Sequence, residues 1–200
     1  MIALIDYKAG NLTSVRKALA AVHADVFTPD TPEDLARARG LIVPGVGHFA
    51  STRALDRQWV DAVLTAIGEG KPLLGICLGM QWLFEGSEES PDLPGLGLLS
   101  GRCFRLSGGP KHFKVPHVGW NSLAISRRSP IVDGTADQAQ VYFTHSFVAP
   151  VTGDTVATTE HGETFAAVVQ RGQVSGVQFH PEKSGDVGLQ ILQNFLRHAL

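Results

Sequence analysis

The stretch from Pro72 to Gln81 constrains the fold of this chain more than any other. Its sequence, P-L-L-G-I-C-L-G-M-Q, is a short apolar run that ends at Cys77 and continues into helix-compatible residues. Such a run predicts a buried strand, a sharp turn and a helix. Gly75 and Gly79 relieve crowding where the strand becomes the helix. A cysteine on this turn projects from the sheet as a nucleophile, although an isolated free cysteine is as often a small buried hydrophobe.

The composition bounds the class of protein. At 200 residues the chain has enough length for a substantial core, and we expect residues 1–200 to form a single domain. A formal net charge of −2 gives no case for binding nucleic acid or a membrane. Cys77 and Cys103 are too few for a disulfide framework, so a reduced, cytoplasmic location is expected and Cys103 is expected to be buried in a strand. We see neither a signal-peptide pattern nor an apolar run of roughly 20 residues that could cross a bilayer.

The first half of the chain alternates strand-like and helix-like segments. The expected strands are 2–5, 25–27, 40–43 and the run before Cys77, and the expected helices cover 12–22, 33–38, 60–67 and the residues after Cys77. This order predicts an α/β fold with a doubly wound, largely parallel sheet flanked by helices. Reactive loops of such sheets gather at the carboxyl ends of the strands, where both Pro44–Gly47 and Cys77 fall.

After Phe84 the pattern changes. Residues 85–97 are polar and rich in Gly, Pro and acid, which predicts a surface loop. The expected strands that follow are 102–106, 120–125, 140–147, 154–160, 165–170 and 174–179, and their short connections indicate an added antiparallel region. A final helix is expected over 185–200, with Ser184 as its N-cap.

A cysteine nucleophile needs a base, and the base needs an orienting group. The last predicted strand ends in His180-Pro181-Glu182, which places an imidazole and a carboxylate at the same sheet edge as Cys77. Acyl chemistry also needs donors for an oxyanion. The N–H of Leu78 directly follows the nucleophile, and the glycine-rich Pro44–Gly47 could supply another donor, although an ordinary βα turn explains that segment equally well.

The three segments P-G-x-G, G-I-C-L-G-M-Q and H-P-E, in this order along the chain, resemble those of the class I (triad) glutamine amidotransferases. The resemblance implies that Cys77 attacks the side-chain amide of glutamine, that His180 protonates the departing ammonia, and that Glu182 orients His180. Val46 and Leu78 correspond to the oxyanion donors. Neither a metal nor a cofactor is implied.

Four further segments narrow the resemblance: D-Y-K-A-G-N-L, K-V-P-H-V-G-W-N, Y-F-T-H-S-F and H-P-E-K-S. Together they look like the glutaminase subunits of imidazole glycerol phosphate synthases. In that family, ammonia passes within a heterodimer to a cyclase subunit, a (β/α)8 barrel. The cyclase makes imidazole glycerol phosphate and aminoimidazole carboxamide ribonucleotide in histidine biosynthesis.

The same resemblance implies two sets of contacts. The residues implied to contact L-glutamine are Gly45, Gln81, Glu89, His145, Ser146 and Phe147, and those implied to contact the partner are Asn11, Trp120, Tyr142 and Lys183. Lys8 stands where the family usually has glycine, and Phe147 stands where tyrosine is common. Without the resemblance, His145 and Trp120 would be interpreted as core residues and Lys183 as a solvated charge.

Three alternatives remain open. The first is another glutamine amidotransferase, of the anthranilate synthase or GMP synthase type, which should lack K-V-P-H-V-G-W-N. The second is a cysteine hydrolase or peptidase on the same fold, against which Gln81 and the order H-P-E argue. The third is a non-catalytic partner module, against which the intact set of Cys77, His180 and Glu182 argues.

Overall fold

The computed structural model describes residues 1–10, 12–110 and 113–199. In chain order the strands are β1 (Ile2–Leu4), β2 (Val26–Phe27), β3 (Gly40–Val43), β4 (Leu73–Ile76), β5 (Gly86–Ser87), β6 (Ser90–Pro94), β7 (Arg102–Arg105), β8 (His117–Ser122), β9 (Ala124–Ile125), β10 (Gln140–His145), β11 (Phe147–Val148), β12 (Thr155–Glu160), β13 (Thr164–Arg171) and β14 (Val174–Val177). The α-helices are α1 (Leu12–Ala21), α2 (Arg57–Gly68), α3 (Leu78–Trp82) and α4 (Gly185–Ala199). Short 3₁₀ helices lie at Pro32–Arg37, Phe49–Ala54, Pro130–Val132 and Pro181–Lys183.

The largest sheet in the described part of the chain has the order β2-β1-β3-β4-β14-β13-β12-β9. Strands β2 to β14 of this order are parallel to their neighbours, and β13, β12 and β9 add antiparallel pairs. Strands β3 and β4 are buried at every position, because helices cover both faces of the sheet. The predicted α/β fold, with its added antiparallel region, is confirmed.

Two apolar clusters lie on the two faces of this sheet. Alternate residues of β3 point to opposite faces, so Ile42 joins one cluster and Leu41 joins the other. The first cluster packs the apolar faces of α1 and α4, and the second packs α2. The amphipathic patterns of these helices therefore account for both layers.

A separate two-stranded hairpin, formed by β8 and β10, lies outside the main sheet. Its antiparallel register places Tyr142 opposite Trp120 and Thr144 opposite Val118. Because side chains alternate along a strand, these four residues share one face of the hairpin. His117 and Phe143 belong to the opposite, buried face.

The prediction of a surface loop over 85–97 is wrong in part. Strands β5 and β6 pair antiparallel there, and β5 also pairs parallel with β7 in a small sheet with β11. The Gly- and Pro-rich composition hid strands that distant pairing stabilises. Other differences are at boundaries: 120–125 and 140–147 are each divided between two strands, 33–38 is 3₁₀, and α4 is described only to Ala199.

Candidate active site

Cys77 occupies a strained turn between β4 and α3, as the sequence predicts. Its φ of 53° and ψ of −108° lie where non-glycine residues are rare, and such strain concentrates at functional positions. A Cβ on Gly75 would lie 2.6 Å from the carbonyl oxygen of Gly79. A Cβ on Gly79 would overlap the carbonyl oxygen of Val43. Both glycines are therefore required by close backbone approaches that hold the elbow against β3.

His180 follows β14, which is the parallel neighbour of β4. The N–H of Cys77 donates to the carbonyl of Val177 at 2.8 Å, which ties the elbow to the strand that leads to His180. Nδ1 of His180 lies 2.8 Å from Oε1 of Glu182, and the two side chains are 1% and 4% exposed. Nε2 of His180 is buried and has no hydrogen-bond partner among the described residues. The three predicted catalytic residues thus lie together at one sheet edge.

The surroundings of His180 favour its protonated form. Burial lowers the pKa of this imidazole, but attraction to Cys77 and the bond to Glu182 outweigh burial and raise the pKa to about 10. The ring therefore carries a proton at neutral pH. Such a ring can protonate an amine or ammonia leaving group.

A cavity of about 220 Å³ opens beside Cys77. It is smaller than the roughly 300–1,000 Å³ of drug-sized pockets, which favours a small ligand. Its lining residues are Gly47, Cys77, Leu78, Gln81, Glu89, Pro116, Thr144, His145, Ser146 and Phe147. Seven of these were predicted as site residues, Gly47 was predicted only as part of the Pro44–Gly47 loop, and Pro116 and Thr144 were not predicted as site residues.

The predicted contacts Gly45 and Val46 are not among the residues that line this cavity. Gly45 instead packs beneath the hydroxyl of Tyr7 and the side chain of Leu78. A larger cleft of about 660 Å³, bordered by Arg128 and Arg197, contains no cysteine, and the hydroxyl of its Ser129 donates to Gln170. We therefore assign the candidate active site to the smaller cavity, because it contains Cys77, and not to the cavity with the larger volume.

The two predicted oxyanion donors are not both free. The N–H of Leu78 donates to the carbonyl of Gly45 at 3.3 Å. The carbonyl of Gly45, in the predicted oxyanion loop, therefore accepts the hydrogen of the Leu78 N–H, which was itself predicted to bind the oxyanion. Val46, 37% exposed, presents its side chain to solvent.

Polar groups around the cavity are held by backbone contacts. The Glu89 carboxylate accepts a 2.7 Å bond from the N–H of Phe49, which fixes this acid in the cavity wall. Nε2 of Gln81 donates to the carbonyl of Phe147 at 2.8 Å and to Oε1 of Gln178 at 3.2 Å. Gln178, 0% exposed, also contacts the sulfur of Cys77. The sequence carried one signal for Gln178, a polar residue in the apolar run before His180.

A chain of hydrogen bonds assigns the tautomers of His117 and His145, each of which carries its hydrogen on Nδ1. Asn121 presents its nitrogen to Nε2 of His117 at 3.3 Å, because its oxygen already accepts from the N–H of Ser122. Nδ1 of His117 therefore carries the hydrogen and donates to Nε2 of His145 at 3.3 Å. Burial, helped by His161, lowers the pKa of His117 to about 4. Burial, followed by the influence of His117, lowers the pKa of His145 well below its usual value, so both rings are neutral.

The outer side of the β8–β10 hairpin carries two of the predicted partner contacts, Trp120 and Tyr142, and Lys183 of the 3₁₀ helix Pro181–Lys183 lies beside them. Val118 and Trp120 are each 57% exposed, although large apolar side chains are usually buried. The Trp120 ring lies 6.1 Å from that of Tyr142, and Nζ of Lys183 lies 5.7 Å from the Tyr142 ring centre. We call Val118, Trp120, Tyr142 and Lys183 the docking face. Asn11, the remaining predicted contact, lies outside the described residues.

Tyr142 of the docking face is hydrogen-bonded through its backbone to His180 and Ser184. The carbonyl of Tyr142 accepts from the N–H of His180 at 2.9 Å, and the N–H of Tyr142 donates to Oγ of Ser184 at 3.0 Å. Oγ of Ser184 in turn donates to the carbonyl of His180 at 2.7 Å. The hydroxyl expected to cap α4 therefore closes a ring of bonds between the hairpin and His180.

Two other expectations concern single residues. Lys8 has a φ of 62°, a conformation that glycine adopts without strain, and its N–H bonds to Oδ1 of Asp6 at 2.8 Å. The glycine that the resemblance implies at this position would adopt this conformation without strain. Cys103 is buried, and burial raises the pKa of its thiol despite the nearby Arg102.

Comparison with known proteins agrees with this geometry. The family model for class-I glutamine amidotransferases matches residues 3–199. The chain belongs to the class-I glutamine amidotransferase family. It is 46% identical over 203 residues to imidazole glycerol phosphate synthase subunit HisH of Geobacillus sp. (strain WCH70), covering 98% of this chain and 95% of the relative. It is 48% identical over 203 residues to the protein of the same name from Geobacillus kaustophilus (strain HTA426), covering 98% and 96%.

The fold of this glutamine amidotransferase also matches solved structures. A crystal structure described as a glutamine amidotransferase superposes with a TM-score of 0.77 at 22% identity, covering 100% of this chain and 99% of the other. At that identity the match supports the fold alone. Within the described residues, no group of three or more His, Cys, Asp or Glu side chains is arranged to hold a metal ion. Nor does any described helix have the length and apolar character needed to cross a membrane.

Proposed function

We propose that this chain is the glutamine-hydrolysing subunit of an imidazole glycerol phosphate synthase in histidine biosynthesis, acting in the cytoplasm. The observation that carries the proposal is the assembly of Cys77, His180 and Glu182 beside a small polar cavity. The HisH relatives, similar over nearly the full chain, support this enzyme over the anthranilate synthase and GMP synthase types.

In the proposed reaction, the Cys77 sulfur attacks the side-chain amide carbon of glutamine. The tetrahedral intermediate collapses as His180 transfers its proton to the amide nitrogen, which leaves as ammonia. A glutamyl thioester then remains on Cys77. Water attacks this thioester while His180 accepts a proton, and the collapse expels the Cys77 thiolate and releases glutamate. Glu182 keeps Nδ1 of His180 bonded, so that Nε2 carries out both proton transfers.

The cavity residues have proposed roles that follow from their chemistry. Glu89 is an acid in the wall and is proposed to bind the α-amino group of glutamine. The 145–147 segment is proposed to meet the α-carboxylate, partly through backbone N–H groups. Gln81 completes the proposed glutamine contacts in the cavity wall. Gly45 and Val46, which do not line the cavity, are proposed to join as a glutamine contact and as an oxyanion donor with Leu78 once the N–H of Leu78 is released from Gly45.

The docking face is proposed to bind the partner subunit, a cyclase with a (β/α)8 barrel, in a heterodimer. Trp and Tyr side chains are enriched at the centre of protein interfaces, whereas Val and Lys are not, so the exposed Trp120 and the half-buried Tyr142 carry this assignment. Asn11 is a further proposed partner contact. Ammonia released at Cys77 would then pass to the partner without entering bulk water.

The test is glutamate release with and without the cyclase partner and its nucleotide substrate. We expect low activity alone, stimulation by the partner, and no activity for Cys77→Ala under any condition. Hydrolysis of small peptides in place of glutamine would instead favour a peptidase. Loss of binding in Cys77→Ala, without glutaminase in the parent, would favour a non-catalytic module.

The docking face is tested separately. Trp120→Ala and Lys183→Met should weaken binding of the cyclase or its stimulation, as measured by calorimetry and steady-state assay. Leu64→Ala is the matched control, because Leu64 is an exposed apolar residue on α2, away from the hairpin in the sequence. Unchanged binding and stimulation in both docking-face variants would overturn this assignment.

A further inference from the structure

Among the described residues, Gln178 contacts the sulfur of Cys77, although it was not predicted from the sequence as a site residue. Its side chain is fully buried, between the end of β14 and His180. Its amide nitrogen lies 3.6 Å from Sγ of Cys77, within hydrogen-bond range for sulfur. A buried amide at this position either orients the sulfur or only fills space.

The neighbouring contacts fix which end of the Gln178 amide faces the sulfur. The backbone carbonyl of Phe147 can only accept, so the Gln81 atom 2.8 Å from it is the nitrogen. That nitrogen also lies 3.2 Å from Gln178, so the Gln178 atom facing it is the oxygen. The nitrogen of Gln178 is therefore the end that faces Cys77. A single backbone carbonyl sets the direction of the whole chain of bonds.

We propose that Gln178 is a further catalytic residue, which donates a hydrogen bond to the Cys77 sulfur and stabilises it as a thiolate. The proposal rests on the proposed glutaminase function. A hydrogen bond to a charged acceptor is stronger than one to a neutral acceptor. The bond is therefore strongest when the sulfur is anionic, which occurs before attack on glutamine and when the thioester collapses.

An amide has a specific advantage as this donor. It cannot transfer its hydrogen to the sulfur, so it stabilises the thiolate without quenching it. His180, in contrast, exchanges protons during both halves of the reaction. The two residues thus have different roles: Gln178 donates a hydrogen bond to the sulfur, and His180 protonates the amide nitrogen of the substrate.

Three variants test this role. Gln178→Met keeps the length of the side chain but removes the donor, and Gln178→Glu keeps the shape but presents a carboxylate. Gln190→Met is the matched control, because Gln190 bonds Asn194 within α4 at 2.9 Å. The first measurement is the rate of Cys77 alkylation by iodoacetamide between pH 5 and 10, with the site confirmed by peptide mass spectrometry. The second is kcat and KM for glutamine in the complete complex.

For Gln178→Met we expect the pH midpoint of alkylation to rise by about one unit, as loss of a hydrogen bond to a charged group implies. We also expect kcat to fall at least about tenfold, with KM changed by less than about threefold. Gln178→Glu should show larger changes in the same direction, and Gln190→Met should match the parent. A parent-like alkylation profile and kcat in a folded Gln178→Met would overturn the proposal.

Two further arrangements keep the test decisive. If Gln178→Met does not fold, Gln178→Asn retains an amide but withdraws it by one methylene from the sulfur, and the same shift is expected. Alkylation needs no glutamine, so it tests Gln178 even if the parent proves to have no glutaminase activity. A shifted profile without glutaminase would contradict the proposed function alone, whereas an unshifted profile with glutaminase would contradict the role of Gln178 alone.

Discussion

The proposed catalytic triad and the proposed oxyanion loop lie at the ends of neighbouring strands but differ in how far each is arranged for the reaction. In the triad, Nδ1 of His180 is already 2.8 Å from Glu182, and the ring shares a buried site with Cys77. In the oxyanion loop, the carbonyl of Gly45 occupies the N–H of Leu78 at 3.3 Å. The orientation of His180 is thus set, with its Nε2 unbonded among the described residues, whereas stabilisation of an oxyanion is not prepared.

The difference follows from how each region is built. The triad depends on a glycine-flanked elbow and on two side chains only two residues apart, so local sequence nearly determines it. The oxyanion site depends on the orientation of backbone groups near Gly45, where glycine lowers the cost of alternative conformations. One oxyanion donor is worth roughly 10²–10³ in rate, so release of Leu78 from Gly45 could control turnover.

The largest effect is expected from removing the nucleophile. Cys77→Ala should lower glutamine hydrolysis by at least about 10⁴-fold, because no other group can form the thioester. Glutamate release in the complete complex is the measurement. Cys103→Ala is the control, since Cys103 is buried and contacts the backbone of Gln81 rather than substrate, and it should retain a working triad. Activity above background in Cys77→Ala would contradict the assignment of the triad.

A smaller but still large effect is expected from Glu182→Gln, which keeps the shape of the side chain but removes its charge. We expect kcat to fall by roughly 10³-fold or more, because the imidazole loses the partner that fixes its tautomer. Rates of the parent and variant should be compared from pH 6 to 10. A fall in kcat of less than tenfold would contradict the role of Glu182 in orienting the His180 imidazole for the reaction.

The same variant makes a prediction about stability and pH. The pKa of His180 rises from 6.5 to about 10 in the folded chain, so protonation of this ring stabilises the fold. That contribution is fully present below pH 6.5 and is lost as the pH rises towards 10. The parent should therefore exceed Glu182→Gln in free energy of unfolding most at pH 6, and the gap should narrow by pH 10. A gap that widens with pH, measured by denaturant unfolding, would contradict the contribution of Glu182 to the raised pKa, which is smaller than that of Cys77.

Gly79→Ala tests the close packing between the elbow and the strand that leads to the oxyanion loop. Its new Cβ would overlap the carbonyl oxygen of Val43, so we expect a loss of about 1–3 kcal/mol or more in the free energy of unfolding. Gly68→Ala, at the end of α2 with open space around it, should change stability by less than about 1 kcal/mol. Equal losses in the free energy of unfolding for the two substitutions would contradict the conclusion that the elbow requires glycine at position 79.

The smallest effect is expected where the docking face meets the triad. Ser184→Ala removes the hydroxyl that links Tyr142 to His180, and we expect stimulation by the partner to fall by about fivefold, equivalent to a hydrogen bond of about 1 kcal/mol. Ser126→Ala is the control, because the Ser126 hydroxyl donates to the carbonyl of Val156 at 3.1 Å, and Val156 belongs neither to the triad nor to the docking face. Stimulation lost equally in both variants would indicate a general effect on folding.

The sequence predicted the parts of the site that depend on local pattern. Apolar periodicity located β4 and β14, and parallel topology then placed Cys77 and His180 at one edge. Gln178 was missed because its role depends on an amide orientation set by the distant carbonyl of Phe147. The bond between Leu78 and Gly45 could not be predicted either, since composition does not specify the direction of a peptide group. Strands β5 and β6 were missed because their pairing, rather than their residues, makes them strands.

The most direct test compares two reactions of Cys77 as the cyclase partner and its nucleotide are added. Alkylation by iodoacetamide needs the prepared nucleophile, whereas turnover of glutamine also needs the oxyanion donors. We predict that turnover rises by about 10²-fold or more, as release of one oxyanion donor implies, while the alkylation rate at pH 7 changes by less than about threefold. Equal increases in both rates, or full turnover without the partner, would contradict the account of a ready triad beside an occupied oxyanion donor.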